Sequence, residues 1–163
     1  PAQTGPQPTR RVVDISGYQP IEIFNAPGTA ARTVQFDPDR VWAALPAVLD
    51  DMGIPATFID PQERSIGNLG FRMGRIDGSR PNTFVDCGTS LGGPLANQYE
   101  VNLSVMVSLT AEGEGTVVQT SIDATAKPRA VSGNASHCQS RGELELRLAN
   151  KVVESLGNDP GPR

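Results

Sequence analysis

Few residues in this 163-residue chain are of types that do chemistry. The one histidine, His137, adjoins Cys138, one of two cysteines. A thiol beside an imidazole is the raw material of a base-activated nucleophile. Sequence neighbours project in different directions, however, and Cys138 is lost as a nucleophile if it pairs with Cys87. A zinc site needs four nitrogen or sulfur ligands, or three and a water. These residues supply three at most, without CxxC or HxxxH spacing. Gly88-Thr-Ser-Leu-Gly-Gly93 has the glycines of a phosphate cradle, but Pro94 and Leu95 stand where its Lys and Ser/Thr belong. Asp50-Asp51 offers paired carboxylates for acid–base work. At the C-terminal end of an expected helix they oppose the macrodipole and read as a solvated terminus. No catalytic, metal or cofactor role is assigned, and the chain reads as non-enzymatic.

Three further features bear on binding. Arg64, Arg72, Arg75 and Arg80 fall within one expected strand–turn stretch. Arg72 is out of phase with Phe71 and Met73 and faces water, so Arg72 and Arg75 are candidates to meet an acidic partner or phosphate. The alternative is a solvated sheet face. Asn102-Leu-Ser104 and Asn134-Ala-Ser136 match the glycosylation sequon, a pattern frequent by chance. Cys87 and Cys138 lie in polar, turn-rich surroundings, which favour one disulfide over two buried thiols.

Composition removes whole classes of function. The net charge is −4, and no basic run exceeds Arg10-Arg11. Nucleic-acid binding needs a basic stripe to displace phosphate counterions, so that role is excluded. No apolar stretch approaches the roughly 18 residues that cross a bilayer. The longest, from Val41 to Leu49, is interrupted by Pro46.

Positioning elements follow from pattern. Residues 1–30 read as an extended, Pro-rich arm, with Pro1, Pro6, Pro8 and Pro20 preventing regular ladders. Within it, Arg10, Arg11, Val12, Val13, Ile15 and Tyr18 are the candidate partner-binding residues, and Ile21–Phe24 is a short extended segment. The domain spans 31–157, and 158–163 is a tail. Thr33–Phe36 alternates as a strand. Asp37-Pro38 is an N-cap and N1 pair. It opens a helix with an apolar stripe at Val41, Leu45, Val48 and Met52, thinned or kinked by Pro46 and stopped by Gly53. Strands are expected at Thr57–Asp60, at Ser65–Arg75 with a bulge, and at Thr83–Cys87; a glycine-rich loop covers Gly88–Asn97. Tyr99–Leu109 and Thr116–Ala126 alternate cleanly around Glu112-Gly-Glu-Gly115, which means an antiparallel sheet with one wet face. Lys127–Ser140 is a polar loop. Leu144, Leu148, Val152 and Leu156 mark an amphipathic helix over Arg141–Leu156. The fold class is α+β: an antiparallel sheet of four to six strands with both helices on its apolar face.

The order β-α-β(4–5)-α over residues 31–156 resembles the helix-grip domains of BamC-like envelope lipoproteins. The residues carrying the likeness are Asp37-Pro-Asp-Arg-Val-Trp-Ala-Ala-Leu45, the strands 99–109 and 116–126, and the closing helix 141–156.

Together these features point to a non-enzymatic accessory subunit of an extracytoplasmic bacterial assembly, periplasmic or extracytoplasmic, with membrane association through partners or a lost lipid anchor. Two Lys against twelve Arg fit a high-GC genome. The expected partners are other protein subunits, met through the arm and the folded domain. The alternative is a small-molecule or lipid carrier with a pocket between helix and sheet, lined by Trp42, Phe71 and Leu103.

Overall fold

The structure is a computed structural model that describes residues 31–129 and 134–157, together with the backbone of 9–13 and 21–25. Strands β1 (Thr9–Val13) and β2 (Ile21–Asn25) pair antiparallel, from Thr9↔Asn25 to Val13↔Ile21. Strand β3 (Ala31–Val34) leads into helix α1 (Pro38–Met52). Strands β4 (Phe58–Asp60) and β5 (Ser65–Arg72) follow, then a 3-10 turn at Pro81–Thr83. Next come the short strands β6 (Val85–Asp86), β7 (Thr89–Ser90) and β8 (Gly93–Pro94), and the single-turn helix α2 (Leu95–Gln98). The long strands β9 (Glu100–Glu112) and β10 (Gly115–Lys127), strand β11 (Ser136–Ser140) and helix α3 (Glu143–Gly157) complete the fold.

Helix α1 starts and stops where its residues dictate. The Asp37 carboxylate accepts from the backbone N–H groups of Asp39 at 2.9 Å and Arg40 at 3.1 Å. Gly53 ends it at φ 83°, with its N–H on the Asp50 carbonyl and that of Ile54 on Leu49. This closure favours a residue with no Cβ. The helix runs on through Pro46, which lies on the exposed side. There its missing N–H is tolerated, and the expected kink does not end the helix.

The main sheet runs β1-β2-β10-β9-β5-β4. One edge of β10 is shared among three elements: β3 against Thr116–Gln119, β2 at Ile122↔Phe24, and β11 against Ala124–Ala126. The class is thus α+β as read from sequence, with further short strands on that shared edge. Helices α1 and α3 cover one face. Val101, Leu103, Val105, Val107 and Leu109 of β9 meet Val118, Ile122, Ala124 and Ala126 of β10 in the core beneath Leu45, Leu49, Leu144, Leu148 and Val152. The β5 register shifts between Asn68 and Phe71, the bulge its glycines suggested. Gly67 lies opposite Met106, and a Cβ there would stand 1.9 Å from the Val105 carbonyl oxygen.

Four expectations are corrected. Residues 83–87 are not a full strand. Pro81 opens a 3-10 turn that runs to Thr83, with the Phe84 N–H on the Pro81 carbonyl, so the chain is helical where the strand was expected to begin. Only Val85–Asp86 extend, and they pair with β11. Second, Gly88–Asn97 is not one loop but the β7–β8 hairpin followed by α2. Third, the polar stretch before α3 contains β11. It becomes a strand because β10 and the β6 ladder supply partners, not because its residues alternate. Fourth, the face away from the helices is not wet throughout. Met106 and Ser121, which pair across β9 and β10, are only 3% and 1% exposed.

Candidate functional site

The region richest in specific structure lies around the two cysteines. The β6–β11 register sets Asp86 against Gln139, so Cys87 falls opposite Cys138. The two form a disulfide with a Cα–Cα distance of 4.3 Å. Cys138 therefore has no thiol to act as a nucleophile. His137 instead places Nδ1 3.5 Å from Asp123 Oδ1, across from β11 to β10. Among the described residues no group of three or more His, Cys, Asp and Glu is placed to hold a metal.

The segment that follows Cys87 is held at many points. The Gly88 N–H donates to Asp86 Oδ1 at 2.9 Å, and the Leu95 N–H closes the loop on the Gly88 carbonyl at 2.9 Å. At the β7–β8 tip, the Gly92 N–H donates to Ser90 Oγ at 3.2 Å. Gln98 donates to the Pro94 carbonyl at 3.4 Å, and its own carbonyl accepts from Arg129 Nε at 2.9 Å. Beneath this, Arg141 donates to the carbonyl and side-chain oxygens of Asn82 at 2.8 and 3.0 Å. Leu91 stands at the tip, fully exposed.

The arginines do not form one cluster. Arg64, in the turn before β5, pairs with Asp39 of α1. Arg72 ends β5, roughly 20 Å away by strand rise, exposed and opposite Asn102. Arg75 donates to the Gly78 carbonyl at 3.1 Å, and Arg80 is exposed. Arg72 and Arg75 remain available to a partner; Arg64 does not join them. Arg10, Arg11, Val12 and Val13 are the body of β1, and Ile15 and Tyr18 lie outside the described residues.

Sequence reading missed an ionic lattice joining α3 to α1 and to the turn at Asp77. Arg147 Nε is 2.8 Å from Glu143 and its Nη1 3.2 Å from Asp77. Lys151 bridges Asp51 at 3.2 Å and Asp77 at 3.3 Å. The hydrogen bond that Arg147 donates to Glu143 is the main cause that raises the Arg147 pKa, and those that Lys151 donates to Asp51 and Asp77 raise that of Lys151. Asp51, at the end of α1, is thus paired with Lys151 of α3. The (i, i+4) spacing of Glu143 and Arg147 was the available signal; Asp77 gave none. Glu145 was missed as well. It is 3% exposed in the first turn of α3, with both carboxylate oxygens accepting from Ser140 Oγ at 2.8 and 3.1 Å. Burial raises its pKa above the ordinary value, partly opposed by the Ser140 hydrogen bond.

A groove of about 360 Å³ lies between α1 and α3, lined by Ala47, Val48, Asp51, Lys151, Glu154 and Ser155. Trp42, Phe71 and Leu103 do not line it; Leu103 is fully buried in the core. No helix among the described residues is long and apolar enough to cross a membrane. No protein-family model and no curated protein matches the chain.

Proposed function

We propose that this chain is a non-enzymatic accessory subunit of an extracytoplasmic, membrane-associated protein assembly in a bacterium. Its folded domain is a docking block, and its first thirty residues are a strap along a neighbouring subunit. The observation that carries this reading is the attachment of β1 and β2. Among the described residues they pair with each other over five residues and meet β10 at one register position, Ile122↔Phe24. Strand β1 lies outermost in the sheet order, where a strand offers its backbone to another chain. The disulfide supports an oxidising compartment. The likeness to BamC-like helix-grip domains, carried by element order, belongs to the same proposal.

Deletion of residues 1–20 tests the reading. The truncated chain is expected to lose its neighbours on purification from the native source while its melting transition stays within a few degrees of full length. Undiminished association after deletion overturns the strap.

A further inference from the structure

Charge is unevenly spread over this chain, which carries 18 acidic residues against 14 basic ones. Arg64, Arg147 and Lys151 each sit on a carboxylate. At the end of the sheet where β5 stops and β9 begins, five exposed arginines do not: Arg72, Arg75, Arg80, Arg129 and Arg141. Among the described residues none of the five forms an ion pair. Three are held instead on neutral oxygens. Arg75 donates to the Gly78 carbonyl, Arg129 to that of Gln98, and Arg141 to the backbone and side-chain oxygens of Asn82. The Asn82 N–H donates in turn to Asn97 Oδ1 at 2.9 Å, which ties Arg129 and Arg141 into one hydrogen-bonded chain beside Arg80. Arg72, opposite Asn102 near the start of β9, stands at the same end. Gly70 and Gly74 flank it, both exposed, with nothing within 4 Å of where a Cβ would stand. The exposed Glu112 and Glu114 lie at the other end of the β9–β10 hairpin, roughly 40 Å away by strand rise. An arginine bonded to a neutral oxygen keeps its whole charge, and its planar fork is already ordered for a carboxylate.

We infer that this arginine end receives an extended acidic segment of a partner subunit, whose carboxylates take the guanidinium groups that the chain leaves without counter-ions. This rests on the accessory-subunit reading and names the surface by which the folded domain docks. The charge calls for carboxylates, and its spread calls for a chain. The five arginines come from separate segments: β5, the turn after it, the approach to the 3-10 turn, the residues after β10 and the entry to α3. One small anion cannot reach them all, whereas acidic residues spaced along an extended segment can. The same end also carries Glu100 and Asp86, with Asp51 and Asp77 on its helix side. A broad anionic surface would press on those carboxylates as well, while a single segment can follow the arginines alone. Opposite charges placed this way speed encounter and fix register.

The first test titrates the purified full-length chain with a short fluorescent peptide of alternating Glu and Ser, read by anisotropy. Saturable binding is expected, weakening as salt rises from about 50 to about 200 mM. Arg72→Gln and Arg80→Gln together should weaken it roughly tenfold, the upper range for two exposed ion pairs. Their melting temperature should not move, because neither side chain has a partner among the described residues. Arg32→Gln, on β3 towards the far end of β10, should bind as the unaltered chain does. The second test places Arg72→Lys in the native source and treats the assembly with a carbodiimide, which joins an amine to a carboxylate in contact with it. A link from position 72 to an Asp or Glu of a neighbouring subunit is expected. No peptide binding, equal binding by the double variant, or equal weakening by Arg32→Gln overturns the inference. So does displacement of the peptide by equimolar inorganic phosphate, tighter binding to phosphatidylglycerol vesicles, or a carbodiimide link to a second copy or to nothing. Association that depends on residues 1–20 but not on Arg72 and Arg80 removes this inference alone. A full-length chain that purifies without any stoichiometric partner removes the accessory-subunit reading with it.

Discussion

Glu145 gives the sharpest quantitative handle on the fold. Its carboxylate is buried where β11 turns into α3, and its described side-chain partner is the Ser140 hydroxyl. Its pKa is raised by burial, so the folded state holds this proton more tightly than the unfolded state does. The sign follows by linkage. Below the ordinary carboxylate value, about 4.3, Glu145 is protonated in both states and contributes no penalty. As pH rises from there through the raised folded value, the unfolded chain ionises first and stability is lost. The loss is complete once the folded carboxyl also ionises. Replacing Glu145 by Gln keeps an oxygen to accept from Ser140 and removes the charge. Desolvation of a carboxylate is expensive, but the charge-assisted hydrogen bonds and the helix N-terminus return much of it. The net gain for Glu145→Gln at pH 8 is expected at about 1 kcal/mol, or roughly 2–4 °C in melting temperature for a chain of this size. Paired thermal melts of both proteins at pH 4, 5, 6, 7 and 8 measure it. The two curves should converge at pH 4 and separate as pH rises, with the variant higher. A gap that ignores pH, or a variant less stable at pH 8, refutes the reasoning.

Further outcomes follow from local geometry. Replacing Cys87 and Cys138 together by Ser opens a loop of about 50 residues and should cost about 4 kcal/mol in the chain-entropy model, read from urea midpoints. Gly67→Ala should destabilise by at least 1–3 kcal/mol in the same assay, because the new methyl would meet the Val105 carbonyl oxygen and the two strands would have to part. Asp37→Ala leaves the Asp39 and Arg40 N–H groups without their cap and should cost about 1 kcal/mol.

Legibility tracked how local each signal was. Asp37-Pro38, the 3-4 spacing from Val41 to Met52, and Gly53 state a helix with its caps in seventeen adjacent residues, and α1 follows them. The alternation in β9 and β10 is likewise local, and all its inward aliphatics are buried. The cysteine surroundings pointed to the disulfide that forms. Residues 81–98 and β11 were opaque because their conformation is imposed from a distance. Phe84 is drawn into the core, Arg141 latches Asn82, and Ser136–Ser140 extends only because β10 and β6 lie beside it. The burial of Met106 and Ser121 left one faint trace, a methionine among polar residues on the supposed wet face. The lattice around Asp77 joins residues about seventy positions apart, which no local pattern encodes.

Amide hydrogen exchange at residues 9–13, compared between the purified chain and its native assembly, tests the strap most directly. A strand hung on the body through one register pair should exchange early in the isolated chain. In the assembly the same amides should slow by at least tenfold, as a neighbour's backbone takes up the outer edge. Equal exchange in both states would contradict the account, as would full protection in the chain alone.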